Sequence, residues 1–221
     1  MNPLVSSNRL FSILCGVSGV FGVMLLALSF ATAVGPPAEA TYAEMLQFGR
    51  EHYTGILWGA WLQAVGPVLI VLFAFGLVHL AGASGRLAGW MTLFGATVLM
   101  TVSLIEITFY ITALFPDPAV TPLVSLRVIY AVQHLYFNVA APALFLPLGI
   151  VLVGSRVLPR VFGYLALLLA AAFGILGVAF LFTLILPTPV TAFAAVQAVW
   201  WLASAITLIM RAGKLPQSAD I

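Results

Sequence analysis

A chain of 221 residues that is 63% hydrophobic and only 6% charged cannot cover a soluble surface, because ordinary globular proteins carry about 25% charged residues. The composition predicts an all-α polytopic membrane protein. Its net charge of +2 is too weak and too scattered for a nucleic-acid partner, and a single cysteine, Cys15, excludes an intrachain disulfide or a cysteine-based metal cluster.

A bilayer-crossing helix needs about 20 mostly apolar residues. Taken in order, the runs that qualify are about 10–34, 54–81, 87–115, 123–153, 158–186 and 190–211. They predict a bundle of six transmembrane helices forming one membrane domain, 1–221. GPP at 35–37, GASGR at 82–86, PDP at 116–118, GSR with LPR at 154–160, and PTP at 187–189 punctuate the runs.

The first run follows Arg9 and ends near ATA at 31–33, the layout of a signal peptide. At about 22 residues it exceeds the usual h-region, so a retained span is expected. Its GVSGVFG, 16–22, repeats glycine every third residue with no strand before it. That pattern makes a helix-packing surface and not a nucleotide loop.

Between the first two spans lies an outer segment. TYAE at 41–44 has the spacing of a capping box, with Thr41 capping a helix and Glu44 reaching back to the Thr41 amide. An interfacial helix over about 42–52 is expected, with Tyr42, Met45, Leu46 and Gly49 on one face. It is either a plain connection or a lid over whatever lies beneath.

The second span carries Gly55, Gly59, Gln63 and Gly66 on one small-residue face. The third holds VSLIEITFYITALF, 102–115, an apolar run with one acid, Glu106. Ser103, Glu106 and Tyr110 share a stripe there. In the fourth, Arg127, Tyr130, His134 and Asn138 are spaced 3, 4 and 4 and stay within one stripe. Pro67, Pro142 and Pro147 each remove a helical hydrogen bond, so QAVGP and NVAAP are expected to kink or open their helices, as in transporters. In the sixth, Gln197 precedes Trp200, Trp201 and Ser204.

Arg9, Arg86, Arg156, Arg160, Arg211 and Lys214 fall on one side of this layout, with Arg50 and Arg127 on the other. The positive-inside rule then places both termini in the cytoplasm (N-in/C-in), with the bacterial inner membrane as the expected location. At about 1.5 Å of rise per residue, Gln63, Glu106, Arg127, His134 and Gln197 all fall in the outer half of the bilayer. Ionisable groups at such depths face a bundle interior or a cavity. Glu106 is expected to face the fourth span, with Arg127, Tyr130 or His134 as partner. A lone carboxyl in hydrocarbon would take up a proton, whereas a neighbouring arginine would hold it ionised.

No HExxH, GxSxG, GxxxxGK[ST] or CxxC occurs. His52, His79 and His134 lie at three depths, so no shared metal, haem or other cofactor is expected. AVQHLYFNVAAPALFLPLGIVLVGSRVLPRVFGYLALL, 131–168, resembles a family of six-span bacterial membrane proteins known only as a domain of unknown function. The shared features are His134, Pro142, SRVLPR at 155–160 and Gly163, with Glu106 a counterpart of the acid in the third helix. The resemblance implies six helices and no activity.

The functional expectation is a non-enzymatic protein that binds or transports a small amphipathic or lipophilic ligand. Glu106 would exchange a proton, and Arg127 and His134 would set its charge. Gln63, Asn138 and Gln197 would offer hydrogen bonds, with Tyr110 and Tyr130 among the ring walls. Membrane lipids, a second copy or another membrane subunit are the expected partners. Two alternatives stand: an accessory subunit whose polar groups fix packing, and a lipid-processing enzyme using Glu106 and His134 as acid and base.

Overall fold

The computed structural model of the protein describes residues 3–32, 41–112, 114, 122–179 and 188–213. Every regular element among them is helical: α1 (Pro3–Thr32), α2 (Tyr42–Glu51), α3 (Tyr53–Leu80), α4 (Leu87–Thr112), α5 (Pro122–Leu135), a π-helical turn (Tyr136–Ala140), α6 (Ala141–Gly154), α7 (Arg160–Ala179) and α8 (Thr188–Arg211). Five stretches are long and apolar enough to cross a membrane: Asn8–Thr32, Tyr53–Leu80, Leu87–Thr112, Arg127–Gly154 and Arg160–Ala179. Ala195–Arg211 in α8 is apolar but shorter. The outward side chains of these helices are themselves large and apolar, among them Phe30, Trp90, Phe94, Leu168, Ile175 and Val199. Such a continuous apolar exterior suits lipid and not water.

The helices follow one another around a ring. α1 packs on α3, α3 on α4, α4 on α5 and α6, α6 on α7, α7 on α8, and α8 back on α1. Glycines allow the closest approaches. Gly22 of α1 faces Gly66 of α3 so tightly that a Cβ on either would stand 2.9–3.0 Å from the other's carbonyl oxygen. Gly16 and Gly19 lie against Ala205 of α8 in the same way, so the repeated glycines of GVSGVFG let α1 wedge between two neighbours. The turn after α3 closes with the Gly82 N–H on His79 O and the Ala83 N–H on Val78 O. Gly82 takes φ +60, the left-handed conformation that this helix ending requires.

The fourth expected span, 123–153, is not one continuous α-helix. Five residues, Tyr136–Ala140, widen into a π turn directly before Pro142. The proline has no N–H to give, and the wider turn shifts the register at that point. Of PTP at 187–189, expected to break the apolar runs, Thr188 and Pro189 are instead in α8, which begins at Thr188. Pro189 is tolerated in a first turn, where its missing N–H has no helical partner to lose. Residues 33–40, 115–121 and 180–187, which include the expected outer loops and the end of the fifth span, lie outside the described residues.

Inside the ring, α6, α7 and α8 interlock through aromatic side chains. Phe145 contacts Trp200 at 5.2 Å, Trp201 at 5.3 Å and Phe173 at 6.4 Å between ring centroids. Phe73 of α3 reaches Trp201 at 5.9 Å. Phe73, Phe145, Phe173 and Trp201 are buried almost completely.

Candidate functional site

α4 carries Glu106 between α3 and α5. Its carboxyl accepts a hydrogen bond at each oxygen: Gln63 Nε2 of α3 donates to Oε2 at 3.1 Å, and Gln133 Nε2 of α5 donates to Oε1 at 2.8 Å. The carboxyl thus joins three helices. Gln63 and Ser103 are buried, while Glu106 and Gln133 are partly buried.

The two amides reach one carboxyl for local reasons. Gln63 lies on the small-residue face of α3, where glycines draw neighbouring helices close. Pro67, four residues on, has no N–H, so the Gln63 carbonyl also lacks its regular helical donor. Gln133 flanks the buried side of α5, which runs through Ser125, Ile129 and Val132 and continues to Phe137 and Ala140.

The arrangement corrects the expected partner. Arg127 and Tyr130 are exposed, and neither bonds the carboxyl. His134 turns its Nδ1 back to the Tyr130 carbonyl at 2.7 Å, one helical turn away. Its Nε2 is buried with no hydrogen bond among the described residues. The stripe of Arg127, Tyr130 and His134 therefore lies one helical position round from the line that faces Glu106. Gln133 was missed because a search for ionisable groups spaced three and four apart passes over a neutral amide beside a histidine. The legible signal was the buried flank of α5 that carries it.

A second polar pair lies across the bundle. The Tyr136 hydroxyl, in the π turn, donates to Gln197 Oε1 of α8 at 2.7 Å. Tyr110 lies one helical turn along α4 from Glu106. Asn138 is separate from both groups: it lies against Gly177 of α7, where any Cβ would strike its amide oxygen. Of the eight candidates named from sequence, Gln63 joins Glu106 directly, Tyr110 lies one helical turn from it, and Gln197 belongs to the Tyr136 pair.

α2 packs against both α3 and α5, the two helices whose amides hold the carboxyl. Its start is fixed by Thr41 and Glu44: the Thr41 N–H donates to Glu44 Oε2 at 2.7 Å, and the Glu44 N–H donates to Thr41 Oγ1 at 3.4 Å. The backbone hydrogen bond from Thr41, followed by the side-chain one, holds the Glu44 carboxyl below its ordinary value.

Chemically, the centre offers one carboxyl and two amides. Among the described residues no group of three or more metal-ligating side chains occurs. No family model, curated protein or solved structure matches the chain.

Proposed function

We propose that the protein is a six-span membrane protein of the bacterial inner membrane, with both ends in the cytoplasm, that binds or transports a small amphipathic or lipophilic ligand at Glu106. The hydrogen bonds of one carboxyl to amides on two other helices carry this reading. A carboxyl within a span is costly and belongs where it serves a ligand or proton path. The amides suit that role, because an amide can turn over. Its NH2 donates to a carboxylate and its carbonyl accepts from a carboxylic acid, so both protonation states keep partners.

In this reading α2 covers the outer end of the site, since it touches the two helices that supply the amides. Loss and gain of the Glu106 proton would change how α3, α4 and α5 are tied together.

Glu106→Gln tests the assignment. The variant should remain monodisperse and lose the pH dependence of ligand binding or of uptake into proteoliposomes. Wild-type pH dependence in that variant would refute the role of Glu106. Reporter fusions at either end test the topology separately, and an end reported outside would reverse the orientation.

A further inference from the structure

We infer that the ligand is a lipophilic monocation, which takes the place of a proton at Glu106 one for one. This rests on the binding reading above and names the class of ligand.

Both hydrogen-bond partners of the Glu106 carboxyl among the described residues are neutral amides. Every helix packed against α4 can be searched for a compensating cation. α3 offers only His79, at its far end and stacked edge-on against Phe11 of α1. α5 offers Arg127, which is exposed, and His134, whose Nδ1 meets the Tyr130 carbonyl and whose Nε2 makes no hydrogen bond among the described residues; neither bonds the carboxyl. The π turn brings Tyr136, bonded to Gln197. α6 has no titratable side chain at all. Tyr110 of α4 and Tyr130 of α5 are phenols and supply no positive charge.

Among the described residues no arginine, lysine or histidine bonds the Glu106 carboxyl, and the cation of α2, Arg50, is exposed in that helix's last turn. A carboxylate in that position is expensive unless a positive charge sits beside it. A proton supplies the charge in one state and a ligand cation in the other. Glu106 is only partly buried and its α4 neighbours Leu104 and Ile105 are exposed, so an apolar ligand body has apolar surface on the way in.

The exchange balances in charge. The cation enters, the carboxylic O–H loses its proton to solvent, and the site stays neutral. On the acid side, where Glu106 carries a proton, binding should weaken about tenfold per pH unit as pH falls. At higher pH, where no proton is left to displace, affinity should level off.

Tetraphenylphosphonium, a lipophilic cation with no proton of its own, is the probe. Its binding to the full chain in detergent, measured by calorimetry from pH 5 to 9, should show this limb and plateau. A pH indicator in weak buffer should record up to one proton released per cation on the acid limb and none on the plateau. Glu106→Gln should lose both signals while eluting as wild type, and Glu106→Asp should keep the proton linkage at reduced affinity. Binding that ignores pH, or that survives in Glu106→Gln, overturns the cation. So does failure of the probe to bind. A neutral amphiphile, N-phenyl-1-naphthylamine, separates the two levels. If it binds and is lost in Glu106→Gln while the cation fails, the site stands and the ligand class falls; if neither binds, both fall.

Discussion

The two sides of the helix ring are joined by different physics. On the side of α6, α7 and α8, Phe145, Phe173, Trp200 and Trp201 interlock as buried rings with centroids 4.8–6.4 Å apart. On the side of α3, α4 and α5, buried aliphatic residues such as Leu77, Leu99 and Val132 are joined by one polar link, a carboxyl between two glutamines. Interlocked rings have one good arrangement, because each fills the space that the others leave. A carboxyl held by amides has at least two, since amides can reverse and protons can leave. The contrast places rigidity on the aromatic side and exchangeable bonds on the polar side.

The sharpest way to break this contrast is to empty the aromatic side. Phe145→Ala removes a fully buried ring and should cost about 3–5 kcal/mol in a reversible unfolding assay in mixed micelles. A loss below about 1 kcal/mol would mean that the ring cluster is not the rigid element. Next in size is Gly95→Ala. Its Cβ would fall on the carbonyl of Ala143 in α6, the carbonyl that Pro147 leaves without a helical donor. Overpacking at that point should cost about 1–3 kcal/mol by the same assay.

The polar links should be weak in stability, whatever their role in binding. Tyr136→Phe removes the bond to Gln197 and should change stability by about 0.6 kcal/mol, the average for hydrogen bonds between membrane helices. A loss several times larger would make that pair a structural pin and erase the distinction drawn here.

The smallest effect concerns the start of α2. The folded state holds the Glu44 carboxyl below its ordinary value, so the capping contribution is present above the ordinary carboxylate range and is lost as pH falls through the folded value. Amide hydrogen exchange in the first turn of α2 should therefore accelerate, relative to the intrinsic rate, when the pH is lowered from neutral to about 3. Equal protection at both values would show that α2 is held by its packing on α3 and α5 alone.

Much of this was readable before any coordinates. Runs of apolar residues fix the helices because a backbone in lipid has only itself to bond with. TYAE fixes the start of α2, and the glycines at 16, 19 and 22 mark the face on which α1 packs. Glu106 stood out as a lone acid in an apolar run. Its partner did not, because a fitted stripe on the fourth span selected Arg127, Tyr130 and His134 over Gln133. Neither did the π turn, since Pro142 announces a lost hydrogen bond without saying how the helix absorbs it.

The sequence alone determined the composition of each helix, where most of them begin, and that a carboxyl would lie within an apolar stretch. Those are local matters of residue type and spacing along the chain. Tertiary structure decided which side chain meets that carboxyl, because one helical position rotates a side chain by about 100° and exchanges one neighbour for another. Whether α5 offers Glu106 an arginine or an amide depends on that rotation.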